Sequence, residues 1–341
     1  MKRCVAVIAC GLALCLRAGA QAPQQFGKLG DFKLVSGEAI RDCRVGYRTL
    51  GTLNAEKSNA IVYPTWFTGT SAEIANSVTS LRQIDTSKYY VVVVDALSNG
   101  ISSSPSNSAV QPRMKFPRIT IEDMVNSQFQ LLTQVLGIRH VKAVVGSSMG
   151  GMQTFQWMVS HPDFMDKAIP IVGSTRLAPY DLVLWQAELD AIRLDPLWKN
   201  GYYSEQPGTI QIDELETLNG TTPANVNHEL TRASVTKSLE DGRKAVAKMD
   251  ANDRIRQLQA MMNLDVSAPF GGAMEKAAAA VKAKVLVIVA VQDHMVTSGP
   301  VREFAKLLGA RVVEMESDCG HDSEDCEPDK VREAIAEFLA K

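Results

Sequence analysis

Compact apolar runs recur along most of this chain, and stretches with helical apolar spacing separate them. Residues 59–64, 89–94, 141–145, 166–172, 285–291 and 310–315 read as strands. The run at 89–94 is apolar throughout, as in a central parallel strand buried on both faces. Residues 71–84, 120–136, 300–308 and 330–339 read as helices. Thr120-Ile121-Glu122-Asp123 supplies a helix start and Gly137 a stop, and His161-Pro162-Asp163 closes the helix that follows residue 148. Residues 32–35 and 43–50 largely alternate apolar and polar around the turn Ser36-Gly37-Glu38, which predicts an N-terminal antiparallel hairpin. Residues 21–30 read as a frayed lead-in. Strand and helix in regular alternation predict an open α/β sheet with helices on both faces.

The rhythm breaks once. Residues 174–275 show helical periodicity, Pro/Gly interruptions and few β-branched runs, with residues 187–194 and 230–262 the most helical. This segment reads as a helical lid inserted into the sheet domain, and its Met249, Met261, Met262 and Met274 as packing residues. No internal repeat or low-complexity segment is present.

The first twenty residues stand apart. Lys2 and Arg3 precede an apolar run from Cys4 to Leu16, and Ala18-Gly19-Ala20 offers a small-residue cleavage site, so this is expected to be a cleavable secretory signal peptide. The apolar run is too short to cross a bilayer. The mature protein is therefore expected to be secreted or periplasmic. Lys2, Arg3 and Arg17 leave with the signal and no acid does, so the formal net charge goes from −2 to −5. That acidity argues against nucleic acid or an anionic membrane as partner. Cys4, Cys10 and Cys15 also leave. Of the remaining three, Cys319 and Cys326 are near enough in sequence to pair in an oxidising compartment, and Cys43 is then the odd, buried thiol. Three free cysteines are the alternative.

The chemistry centres on Val144-Val145-Gly146-Ser147-Ser148-Met149-Gly150. A strand, a Gly-x-Ser-x-Gly turn and an amphipathic run form the pattern of a nucleophile elbow, with Ser148 at a strained apex and at a helix N-terminus. Five histidines are available. His140 lies at the wrong end of its strand, His161 at a helix end and His228 in the lid. Asp293 and His321 each follow a strand, at the end of the sheet where an open α/β fold gathers its chemistry. Ser148, Asp293 and His321 stand in the chain order of an α/β-hydrolase triad. In this reading His321 is the general base and Asp293 orients its imidazole; His294 and Asp322, one residue out of step, are the rivals. The oxyanion hole requires a backbone N–H from Met149 and one from the loop after the early strand, with Phe67 the choice and Trp66 and Thr68 its neighbours. Trp66 and Phe67 also read as walls of an acyl pocket or as core aromatics.

Several longer stretches resemble the homoserine O-acetyltransferase family: Ser36-Gly37-Glu38, residues 45–54, residues 116–123, residues 146–153, Asp195-Pro196-Leu197-Trp198 and Gly320-His321-Asp322. The resemblance implies an α/β-hydrolase fold with a helical lid after the sixth core strand, and a serine that is acylated and deacylated. It places Ser148, Asp293 and His321 on the family triad, Phe67 and Met149 on its oxyanion hole, and Asp322 on an aspartate that touches the substrate amine. The departures concern the acyl acceptor. The elbow carries Ser147 where the transferases have glycine, and Thr65-Trp66 replaces their His-Ala. The lid lacks their substrate-holding arginine and tyrosine, and Ser323-Glu324-Asp325-Cys326 replaces an aromatic-leucine continuation.

The expected organisation is thus a signal peptide over residues 1–20, an α/β-hydrolase core from residues 21–173 and 276–341, and a helical lid over residues 174–275. The expected function is that of a secreted serine hydrolase acting on a small acyl ester through an acyl-enzyme, with O-acyl transfer as the alternative. The reading calls for no cofactor, metal or nucleic acid, and no membrane once the signal is removed. Self-association would be as a homodimer through the lid.

Overall fold

The computed structural model describes residues 22–341; the expected signal peptide and its cleavage site lie outside them. Eight strands among the described residues form one sheet: β1 (Gln25–Lys33), β2 (Ala39–Leu50), β3 (Ala60–Pro64), β4 (Tyr90–Val94), β5 (Val141–Ser147), β6 (Met165–Ile171), β7 (Lys284–Ala290) and β8 (Arg311–Met315), in the order β1-β2-β4-β3-β5-β6-β7-β8. β2 pairs antiparallel with β1 and β4, and all other pairings are parallel.

The strand sequences explain this arrangement. β3 and β4 are buried almost throughout, so each needs apolar side chains on both faces. Along β3, Ile61 and Tyr63 join one core layer and Ala60 and Val62 the other. Helices α1 (Ser71–Ser80) and α12 (Pro328–Ala340) bring Ile74, Val78, Val331 and Ile335 to the first layer. Helices α2 (Ile121–Gln130), α3 (Met149–Ser160) and α10 (Gly299–Leu308) bring Met124, Met152, Phe155 and Phe304 to the second. Thr70 and Thr120 start α1 and α2 with reciprocal capping boxes to Glu73 and Asp123, which satisfies otherwise orphaned N–H groups.

Two expectations are corrected. The lead-in is not frayed: β1 begins at Gln25 and pairs with β2 through two register shifts around Gly30. Those bulges break the alternation by which a strand is recognised. The helical stretch 230–262 is not continuous. It divides into α7 (Val235–Val246) and α8 (Ala251–Met262), because Asp250 turns back and accepts from the N–H groups of Asn252 and Asp253 as an N-cap.

Between β6 and β7 run α4 (Pro179–Arg193), α5 (Thr209–Gly220), α6 (Pro223–Glu229), α7, α8 and α9 (Met274–Ala280). α8 is buried from Ala251 to Met261 although much of that stretch is polar. Its polar side chains have partners, as burial demands. Asp253 takes the N–H and hydroxyl of Ser106. Arg256 reaches the carbonyls of Met114 and Phe116. Arg254 lies between Glu188 and Glu216. This helix ties the inserted segment to the loops of the sheet domain.

Candidate active site

The turn from β5 into α3 has little room. Ser148 holds φ 56° and ψ −121°, a region costly for a residue with a Cβ. A Cβ on Gly146 would lie 2.3 Å from the Gly150 carbonyl oxygen, and one on Gly150 would lie 2.6 Å from that of Pro64. The two glycines therefore let the chain double back closely enough to present Ser148 at the carboxyl end of the sheet.

The residues read as acid, base and nucleophile lie together there. Ser148 Oγ is 2.8 Å from His321 Nε2, and His321 Nδ1 is 2.7 Å from Asp293 Oδ2. The other Asp293 oxygen accepts from the N–H groups of Met295 and Val296, which fixes the carboxylate in the loop after β7. Burial opposes a charged imidazole at His321. The Asp293 carboxylate, with Asp322 and Glu324 beyond it, outweighs that cost and holds its pKa above the ordinary value. Neither rival joins this relay: Asp322 makes no hydrogen bond to the imidazole in the structure, and His294 is exposed. The remaining histidines have local duties. His140 pairs with Asp166, His228 pairs with Glu229, and His161 stacks flat on Phe129, its pKa lowered by burial to about 4.

Ser148 and His321 face a cavity of about 300 Å3. Trp66, Phe67, Trp185 and Met295 supply its apolar wall, and Phe67 meets Trp185 edge-on at 5.6 Å. Phe67 follows β3 and Met149 is the first residue of α3, the two positions expected to donate N–H groups. Among the described residues, neither N–H is engaged in another hydrogen bond.

Two features escaped the sequence reading. Carboxylates of Glu216, Asp322, Glu324 and Asp325 line the same cavity. Glu216 is paired with Arg254; the other three have no ion-pair partner among the described residues. The second is a link from Glu324 to Ser147 Oγ at 2.7 Å and to Gln83 Nε2 at 2.5 Å. Ser147 and Glu324 are both noted above as departures, but their sequence positions do not announce that they meet. A disulfide joins Cys319 and Cys326, with Cα atoms 6.5 Å apart, and so brackets the loop carrying His321, Asp322, Glu324 and Asp325. Cys43 is free and buried, its thiol pushed up to about 12 by that burial. No cluster of three or more metal-ligating side chains occurs among the described residues.

A family profile described as alpha/beta hydrolase fold matches residues 66–324. A protein of Corynebacterium glutamicum named as a probable esterase is 32% identical, over 89% of this chain and 91% of its own length. An ethyl acetate hydrolase of Pseudomonas veronii is 34% identical, over 81% and 82%. A homoserine O-acetyltransferase of Methanosalsum zhilinae is 30% identical, over 91% and 71%. Among solved structures, an acetylester hydrolase from Corynebacterium glutamicum superposes with a TM-score of 0.87 at 29% identity, covering 94% of this chain and 97% of that one.

Proposed function

The chain belongs to the alpha/beta hydrolase fold family, within a group that includes both esterases and homoserine O-acetyltransferases, and we propose that it is a serine esterase working through an acyl-enzyme on Ser148. The observation that carries this reading is the unbroken relay from Asp293 through His321 to Ser148, opening on a cavity of small-ester size.

The mechanism follows from that relay. His321 Nε2 takes the Ser148 proton as Oγ attacks the ester carbonyl. The developing oxyanion is held by the N–H groups of Phe67 and Met149 at the head of α3. His321 returns the proton to the departing alcohol, leaving Ser148 acylated. It then draws a proton from water as that water attacks the acyl carbonyl, and passes the proton to Ser148 Oγ as the ester bond to Ser148 breaks and the acid leaves. Asp293 keeps the imidazole oriented and stabilises its charged form.

Transfer to a hydroxyl acceptor shares every step up to the acyl-enzyme, and the transferase relatives favour keeping it as the second reading. The lost acceptor residues and the carboxylate-lined cavity argue for water. Three carboxylates without cationic partners disfavour an anionic acceptor or a phosphate-bearing acyl donor. We also infer that the protein works outside the cytoplasm, on the expected signal peptide, and that residues 174–275 act as a lid.

Purified protein given short-chain p-nitrophenyl esters is expected to release p-nitrophenol, and Ser148→Ala to abolish release. Absence of turnover together with no labelling by a fluorophosphonate overturns the reading. Acyl flux diverted from water by an added hydroxyl acceptor would favour the second one.

A further inference from the structure

The loop that supplies Phe67 is a tight turn. The Gly69 N–H donates to the Trp66 carbonyl at 3.1 Å, so Trp66 and Gly69 close a four-residue turn with Phe67 and Thr68 at its centre. Thr68 has φ 63°, and Phe67 is not among the residues with positive φ. A turn with a left-handed third residue is the type II form, which favours glycine there. Thr68 is β-branched, so local preference opposes the conformation observed. Something outside the turn must hold it.

That group is Gln257, from α8 of the inserted segment. Its Oε1 accepts from the Thr68 N–H at 2.9 Å, and its Nε2 donates to the Leu97 carbonyl at 3.2 Å. The side chain is fully buried. Type I and type II turns differ by a flip of the central peptide, here the one joining Phe67 to Thr68. The N–H of that peptide is the group Gln257 holds. Thr65, at the start of the loop, is anchored separately by Gln153 Nε2 on its carbonyl and by its hydroxyl on the Ala96 N–H.

We propose that Gln257 is a positioning residue for catalysis: by holding the Thr68 N–H while itself tied to the Leu97 carbonyl, it fixes the Phe67–Thr68 peptide and so the place of the turn that carries the Phe67 N–H. This rests on the esterase reading above. It makes the inserted helical segment part of the oxyanion site as well as a cover over it. An oxyanion donor acts on the transition state more than on the bound ester, so the consequence falls on kcat.

The test compares three variants of the full protein with a p-nitrophenyl ester. Gln257→Leu keeps the volume and loses both hydrogen bonds; kcat is expected to fall about 10–100-fold with KM within about threefold. Inhibition by a boronic acid, which forms a tetrahedral adduct on serine, is expected to weaken by a similar factor. Gln257→Glu retains an acceptor for the Thr68 N–H and is expected to recover much of kcat. Gln259→Leu, two residues along the same helix, removes a buried hydrogen bond to Arg256 without touching the turn. It is expected to lower Tm while leaving kcat near wild type. Equal kcat losses in Gln257→Leu and Gln259→Leu, or a Gln257→Leu defect confined to KM or Tm, overturn the proposal. A wild type with no esterase activity overturns the esterase reading and this inference with it.

Discussion

Ser147 Oγ donates a 2.7 Å hydrogen bond to the Glu324 carboxylate, so the residue before Ser148 is tied directly to the loop that carries His321. The same carboxylate accepts from Gln83 beside α1. Ser148 and His321 thus approach each other across two bonds, their own and this one. Glu324→Ala leaves two polar groups without their partner, at a cost of about 1–3 kcal/mol each where they are buried. The expected outcome is a lower Tm by thermal denaturation and a kcat reduced about tenfold, with a smaller change in KM. Glu324→Gln, which keeps an acceptor, should show less of both.

The raised pKa of His321 sets the pH dependence. Only neutral His321 can accept the Ser148 proton, so kcat/KM is expected to fall on acidification with a midpoint above 6.5, the ordinary histidine value. The sign for stability is opposite. A group whose folded pKa is raised contributes stability fully below its unfolded value and loses it as pH rises through the folded one. Activity should therefore rise with pH across the window in which this contribution fades. Asp293→Asn removes the principal charge holding the pKa up and is expected to cut kcat about 10⁴-fold, with the residual activity titrating at lower pH.

Disulfide reduction gives a third prediction. The Cys319–Cys326 bond closes a short loop around His321, and a cross-link of this kind typically contributes about 2–4 kcal/mol. The loop has other anchors: Ser323 Oγ bonds the Gly320 carbonyl, and the Glu327 carboxylate accepts from the N–H groups of Glu316 and Ser317. Reduction is therefore expected to lower Tm and kcat together without unfolding the sheet domain. A phosphine titration followed by circular dichroism and ester turnover measures both, with the double variant Cys319→Ser/Cys326→Ser as the permanent equivalent.

The carboxylates of the cavity predict a charge preference. Asp322, Glu324 and Asp325 line the cavity that Ser148 and His321 face and have no cationic partner among the described residues. At pH 8 and low ionic strength, meta-acetoxybenzamide is expected to be hydrolysed at least about tenfold faster than meta-acetoxybenzoate, each normalised to its own alkaline hydrolysis rate. The gap should narrow in about 0.5 M salt, which screens exposed charge. It should narrow also in Asp322→Asn/Asp325→Asn.

The sequence by itself determined the features encoded over short distances. The β-branched runs of β3, β4, β5 and β7 and the glycines around Ser148 dictate strands and an elbow through local sterics and burial. The positions of Asp293 and His321 could be read although His321 lies 173 residues from Ser148, because strand ends in an open α/β sheet fall on one edge. β1 and the break between α7 and α8 were misread because bulges and a single N-cap aspartate override periodicity. Tertiary structure alone decided the contacts that hold the site in place. Thr68 and Gln257 are 189 residues apart and Ser147 and Glu324 are 177 apart. No periodicity or motif marks a glutamine as the partner of one particular N–H. A buried polar side chain finds its partner only when packing brings both out of water, where leaving either unpaired is costly.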